Sequence, residues 1–159
     1  MAKIFHVVEV VDLGIEKEKA RRDFYDRVAN YFAQSEMKDL FTRLRDWEAQ
    51  HIEKFTEIRD SLPEPEPVDS YPGEMALYMQ SLVDDKLYKD TSPQEFGRRI
   101  SSPLIAIQYG MGFERDAILF FNELLPHVGS SNADAIQQLI NEEKQHLVYL
   151  AELKKKFES

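Results

Sequence analysis

Two short Glu-x-x-His segments are the part of the sequence that could do chemistry. Glu48 and His51 form the first pair, and Glu143 and His146 form the second. Residues three apart in an α-helix lie on the same face about one turn apart, so each pair can reach one metal ion from a rigid element. Both pairs interrupt a run of apolar residues at helical spacing, which predicts that they point into a core. A buried, unpaired carboxylate is costly, so these acids need a compensating partner.

Two more acids interrupt apolar seams earlier in the chain. Glu18 precedes Glu48 by about 30 residues, and Glu114 precedes Glu143 by nearly the same distance. These two halves are themselves offset by about 95 residues, which is an internal repeat. Two helical hairpins related by a pseudo-twofold axis would bring the four acids together in the middle of one bundle. The pattern therefore predicts four Glu and two His pointing inward, as in a dinuclear metal site.

Composition limits the classes of function. The 159 residues suit one domain, residues 1–159, and the net charge of −9 argues against a nucleic-acid partner. The absence of cysteine excludes disulfides, thiolate zinc sites and iron–sulfur clusters within this chain. No apolar run approaches the ~20 residues of a membrane span, and the first residues do not form a signal peptide. We therefore expect a cytoplasmic protein with no membrane partner.

The elements that must position these residues follow from apolar periodicity and from turn residues. They predict an all-α four-helix bundle with one long crossover that contains a short helix. Ser35 and Ser102 are expected to cap the second and third helices. In the seam of the first helix, Arg22 is expected to extend towards solvent. The predicted hairpins are about 4–62 and 103–157, the crossover is about 63–102, and its short helix is about 72–85.

The predicted donor set favours particular metals. Carboxylate oxygen with imidazole nitrogen suits iron or manganese better than copper, and it differs from the sulfur-rich structural zinc sites. Two divalent ions would neutralise four carboxylates, and metal loading should weaken at low pH because protons compete. Tyr25 lies on the face of Glu18 and could donate a hydrogen bond to a ligand carboxylate, or could be an ordinary core aromatic. A polar core satisfied without metal is the alternative to the whole site.

The set of motifs resembles the ferritin-like superfamily, most closely its rubrerythrin-like branch, over essentially the whole chain. The resemblance rests on Glu48-Ala-Gln-His51, on Glu142-Glu-Lys-Gln-His146 and on Gly112-Phe-Glu114, together with the segment 15–25. It implies a ferritin-like four-helix bundle holding two Fe ions, with Mn as an alternative. Glu16 and Glu142 are rival acids that lie off the apolar seams. The implied metal ligands are Glu18, Glu48, His51, Glu114, Glu143 and His146.

The same resemblance implies an activity. Such a protein would oxidise bound ferrous iron with O2 or H2O2, use an external electron donor, and form a homodimer or a larger homo-oligomer. Two features depart from rubrerythrins: Ala117 stands where a second acid is found on the third helix, and there is no cysteine-ligated electron-donating module. The symmetric six-ligand set looks more like a bacterioferritin ferroxidase centre. Iron storage, or a structural bundle held together by metal without turnover, are the alternatives.

Overall fold

Four long helices form the bundle that the sequence predicts. The computed structural model describes residues 5–62, 70–71, 77, 81 and 93–158. A minimal antiparallel pairing joins β1 (Phe5–His6) to β2 (Ser70–Tyr71). The all-α fold class is thus confirmed, apart from these two short strands. In chain order the helices are α1 (Val7–Tyr31), α2 (Ser35–Ser61), α3 (Pro93–Arg99), α4 (Pro103–Leu124), a single 3₁₀ turn (Leu125–His127) and α5 (Ser130–Glu158).

The bundle consists of two hairpins, each with a short connection. Helices α1 and α2 form the first hairpin, and α4 and α5 form the second. Only three residues separate α1 from α2, and a glycine with φ of 78°, Gly129, lies immediately before α5. Its left-handed backbone is one that L side chains rarely adopt, which explains glycine at this turn. No described helix is long and apolar enough to cross a membrane.

Two apolar clusters fill the bundle on either side of a polar layer. On α1, Ile15 belongs to one cluster and Phe24 to the other, so Glu18 lies between them. On α2, Leu44 and Phe55 bracket Glu48 in the same way. The apolar seams predicted from helical spacing therefore exist, and the charged layer is enclosed by them. Burying this much apolar surface on both sides offsets the desolvation of the acids between.

The crossover contains a helix that the sequence analysis missed. Helix α3 places Phe96 in the core, with its ring 6.1 Å from the ring of Phe24, and Ile100 just beyond the helix is also buried. The guanidinium of Arg27 lies 4.3 Å from the centre of the Phe96 ring, a cation–π contact. The predicted helix at about 72–85 falls almost wholly outside the described residues, where only Leu77 and Ser81 are described, both helical and exposed.

Helix ends and close contacts explain the remaining local structure. The Ser102 hydroxyl accepts a hydrogen bond of 3.2 Å from the Ile105 amide, as predicted for an N-cap. Ser35 is not a cap, because the helix already includes it and Gln34 precedes the first turn without a side-chain bond. On α1, a Cβ atom added at Gly14 would lie 2.4 Å from the ring of Phe55, so glycine permits the close approach of α1 to α2.

Candidate metal centre

The structure brings all six predicted ligand residues together in the polar layer. The first hairpin supplies one acid from α1 and a Glu–His pair from α2, and the second hairpin supplies one acid from α4 and a Glu–His pair from α5. Every one of them is buried, with at most 4% of its surface exposed. Each Glu–His pair spans one turn of its helix, as the spacing predicts. The six residues are Glu18, Glu48, His51, Glu114, Glu143 and His146.

The six side chains form two overlapping groups, each with ligand atoms within 4.8 Å of one another. The Glu18 position consists of Glu18, Glu48, His51 and Glu143. The Glu114 position consists of Glu48, Glu114, Glu143 and His146. Glu48 and Glu143 belong to both groups, so each can bridge two ions with its two oxygens. Each position therefore takes three side chains from one hairpin and one bridging Glu from the other.

The imidazoles face the centre through Nδ1. His51 Nδ1 lies 2.6 Å from Glu143 Oε1 and 3.6 Å from Glu48 Oε2. His146 Nδ1 lies 3.5 Å from Glu143 Oε2 and 3.7 Å from Glu114 Oε2. The His51 ring is not aligned for a hydrogen bond to Glu143, although the two atoms are only 2.6 Å apart. Both rings thus present a nitrogen to a point shared with several carboxylate oxygens.

The unsatisfied polar atoms of the centre show that its residues fit metal ions. Among the described residues, each of the six ligand candidates has at least one buried oxygen or nitrogen with no hydrogen-bond partner. For Glu48 and Glu143 this holds for both carboxylate oxygens. Buried polar atoms are nearly always satisfied in folded proteins, so such a concentration at one point calls for a ligand. Two divalent cations bound by carboxylate and imidazole would satisfy these atoms together.

The two rival acids lie outside the centre, although one of them touches a ligand. Glu16 is 64% exposed and pairs with Lys19 at 3.4 Å. Glu142 is 38% exposed, and its Oε2 lies 2.6 Å from Nε2 of His51, behind the imidazole. A carboxylate in this place fixes the orientation of a metal-binding imidazole and increases its basicity. Sequence spacing could not show this contact, because it crosses from α5 to α2.

A buried arginine is the functional residue that the sequence analysis missed. The side chain of Arg21 is 2% exposed, and its Nη1 lies 2.8 Å from Glu18 Oε1 and 4.0 Å from Glu48 Oε2. Arg22, the residue assigned to the seam, is instead half-buried and pairs with Asp23 at 3.2 Å. The signal was available, since Arg21 follows Glu18 by three residues on one helix face. Arg21 thus adds one positive charge to the centre, opposite in sign to the charge that Glu142 places against His51.

Tyr25 is buried, and its hydroxyl donates a hydrogen bond to Glu114 Oε1. The contact joins α1 to α4, so it also connects the two hairpins. Burial raises the pKa of the Tyr25 phenol well above its ordinary value, and the charge of Glu48 adds to this rise. The hydroxyl therefore keeps its proton and remains a donor. Tyr25 is therefore a hydrogen-bond donor to a candidate ligand and not only a core aromatic.

Burial and mutual charge shift the pKa values of the cluster in opposite directions. Burial raises the pKa of Glu18 well above its usual range, although Arg21 opposes this shift. Burial also acts to raise the pKa of Glu48, but the neighbouring Glu18 carboxyl and both imidazoles outweigh it, and this pKa lies well below its usual range. Protonation is therefore more favourable at Glu18 than at Glu48.

The imidazoles are cationic in the metal-free centre. Burial acts to lower both of their pKa values, but the surrounding carboxylates outweigh it. Contacts with Glu142 and Glu143 raise the pKa of His51, and contacts with Glu143 and Glu48 raise the pKa of His146 to about 9. A metal ion that binds either ring through Nδ1 must therefore displace a proton.

A cleft between α2 and α5 connects the centre to the surface. Its volume is about 230 Å³, and both ligand imidazoles line its inner end. The Trp47 ring stacks on the His146 ring, with 4.8 Å between ring centres and 6° between planes, and fixes that imidazole. The cleft reaches the centre at its two imidazoles, and its lining includes none of the four ligand carboxylates. The cleft is lined by Trp47, Gln50, His51, Glu142, Gln145, His146 and Tyr149.

Comparison with known proteins supports this description of fold and site. No protein-family model and no curated protein sequence matches the chain. A crystal structure from Thermotoga maritima, provisionally described as a ferritin-like diiron-carboxylate protein, matches with a TM-score of 0.72 and 25% identity over 98% of both chains. The predicted resemblance is confirmed: the chain has the ferritin-like fold. Its buried Glu and His cluster is of the kind that defines di-iron carboxylate proteins.

Proposed function

We propose that the protein is a di-iron carboxylate oxidoreductase of the rubrerythrin or ferritin-like type, which oxidises ferrous iron with O2 or H2O2. The observation that carries the proposal is the pair of four-residue groups sharing Glu48 and Glu143. These residues would hold two metal ions close together, and the pair of ions would supply the electrons for reducing the oxidant. Oxidation of two ferrous ions by one H2O2 consumes two protons and yields two water molecules.

The residues of the chain have separate tasks in this proposal. The four Glu and two His bind the ions, and Tyr25 holds Glu114 in place by its hydrogen bond. The cleft between α2 and α5 admits the oxidant to the imidazole side of the centre. Glu142, at the outer end of the contact with His51 Nε2, connects that ring to solvent and so can exchange protons with it. The packed side chains of the rest of the bundle keep the ligands buried and so exclude water from them.

Iron is the proposed metal, and manganese is the alternative with the same ligand preference. When bound, the two irons supply the redox chemistry by changing between the ferrous and ferric states. An external electron donor returns them to the ferrous state. The description of the structural neighbour as a diiron-carboxylate protein favours iron. The cytoplasmic location and the homo-oligomer expected from the sequence stay predictions.

An aerobic ferrous titration of the metal-free protein tests the proposal. We expect the near-ultraviolet absorbance of oxidised iron to rise with protein-dependent kinetics and to break near two equivalents per chain. A Glu48→Gln/Glu143→Gln double variant, which loses both bridging charges, is the matched control and should show no break. Soluble uptake far beyond two equivalents would indicate storage instead. Metal binding and stabilisation without oxidation would indicate a structural bundle and would contradict the proposed activity.

A further inference from the structure

The two terminal carboxylates of the centre are held in the same way but by different donors. Glu18 Oε1 accepts from Arg21 at 2.8 Å, and Glu114 Oε1 accepts from the Tyr25 hydroxyl. The other oxygen of each carboxylate is unpartnered and lies beside an inward-facing imidazole nitrogen. Each terminal Glu can therefore offer one oxygen to a metal ion. The donor to Glu18 is a fixed cation, whereas the donor to Glu114 is a neutral hydroxyl.

This difference breaks the internal repeat. The offset of about 95 residues that relates Glu18 to Glu114 relates Arg21 to Ala117 and Tyr25 to Phe121. Ala117 and Phe121 are buried in the core and have no polar side-chain atom to offer. Both donors therefore come from α1, one to its own hairpin and one to the other. The pseudo-twofold axis therefore relates the ligands of the two positions, but it does not relate the groups that donate to Glu18 and Glu114, which differ in charge.

A buried cation beside one ligand lowers the affinity of that position for another cation. The guanidinium of Arg21 is 2% exposed, so water screens it poorly and its field at Glu18 is strong. Its 4.0 Å approach to Glu48 is to Oε2, the oxygen that lies beside His51 Nδ1 in the Glu18 position, so it adds to the same difference. Glu142 acts in the opposite direction behind His51, but it is 38% exposed and therefore better screened. The repulsion at the Glu18 position prevails.

We propose that the two metal positions are unequal, with the Glu114 position binding a divalent cation first and tightly and the Glu18 position binding the second, exchangeable cation. Arg21 is the positioning residue that sets this order. The inference rests on the dinuclear centre of the proposed function and specifies how that centre loads. In a ferrous-oxidising protein, the ion at the Glu18 position is the one that enters and leaves as substrate.

The test is an anaerobic Mn²⁺ titration, following free Mn²⁺ by electron paramagnetic resonance. We expect two steps of one equivalent each in the unaltered protein, with dissociation constants separated by about tenfold or more. Arg21→Met has a neutral side chain of similar length, and in it the weak step should strengthen until the two steps merge. Arg21→Lys keeps the charge and should keep two steps. Arg22→Met removes the neighbouring arginine, which pairs with Asp23 outside the centre, and as the matched control it should keep them as well.

A second pair of variants assigns the steps without altering Arg21. Glu18→Gln should abolish the weak step and leave the tight step, whereas Glu114→Gln should abolish the tight step. The proposal is overturned by equal steps in the unaltered protein, by the reverse assignment, or by a separation that persists in a folded Arg21→Met. The anaerobic Mn²⁺ titration does not depend on iron oxidation, so the two proposals can fail separately. Two unequal Mn²⁺ steps, with no iron oxidation in the aerobic ferrous titration, would refute only the proposed activity. Oxidation with equal sites would refute only the unequal loading.

Discussion

Replacing Glu114 by alanine is the most direct test of the ligand assignment. The residue is fully buried on α4, and one of its carboxylate oxygens is unpartnered in the centre. Glu114→Ala removes a ligand and a negative charge together, so we expect binding at the Glu114 position to weaken by about a hundredfold or more. The metal content after dialysis should then fall from two ions per chain towards one.

The same substitution has a calculable effect on the metal-free fold. The Tyr25 hydroxyl loses its acceptor and remains buried, which costs about 1–3 kcal/mol. Loss of a desolvated carboxylate offsets part of that cost, so we expect the metal-free variant to be destabilised by about 1–2 kcal/mol and to keep its helices. Metal content by mass spectrometry and thermal unfolding by circular dichroism measure the two effects separately.

A surface acid provides the control for this experiment. Glu16→Ala removes one negative charge from an exposed position on α1, and it should leave metal content unchanged and stability within about 0.5 kcal/mol. If Glu114→Ala retained two ions with unaltered affinity, Glu114 would not be a ligand. The identity of the Glu114 position, and the reasoning from unsatisfied buried atoms, would then be refuted.

Three further predictions follow from the geometry. The pKa of His146 is raised to about 9 in the metal-free centre, so a metal ion must displace its proton. The Mn²⁺ affinity of the Glu114 position, to which His146 belongs, should therefore increase by about tenfold per pH unit between about pH 6 and pH 8. An affinity independent of pH would contradict this. Glu142→Gln removes the carboxylate behind His51 and should weaken Mn²⁺ binding about 10- to 100-fold, with Glu16→Gln as the neutral comparison in the same titration. Gly14→Ala places a Cβ within 2.7 Å of two phenylalanine rings and should lower the free energy of unfolding by about 1–3 kcal/mol in urea, whereas Gly112→Ala, with nothing within 4 Å, should be neutral or stabilising.

The ligands could be predicted from the sequence because each interrupts a regular apolar seam. A Glu or His at a seam position of a helix must point into the core together with the Leu, Ile and Phe side chains around it. The internal repeat then predicts that the seams of the four helices face one another. Arg21 was missed for a physical reason: long cationic side chains at a seam edge can extend to solvent or fold inward. Only the position of Glu18 in three dimensions decides between them. The contact of Glu142 with His51 likewise depends on how α5 faces α2.

Helix α3 was missed for a different reason. It has only seven residues and contains Gly97, so local propensity argues against it. Its stability comes from burying Phe96 against α1, which is a tertiary effect that no local pattern reports. The signals available were the spacing of Phe96 and Ile100, four apart, and Ser92-Pro93, a pair typical of helix starts. The Pro-rich start of the crossover at 63–67 was interpreted correctly as the end of α2, which the structure places at Ser61.

The shared use of Glu48 and Glu143 by both metal positions affects how the protein folds. Each ion, once bound, would join three side chains of one hairpin to one side chain of the other, across a crossover of some forty residues. In a chain without cysteine, such ions would act as cross-links that restrict the separation of the hairpins. In the metal-free protein only the two shared apolar clusters hold the hairpins together, and amide exchange should be earlier where α2 faces α5. Metal loading should slow this exchange and raise the unfolding temperature of the bundle.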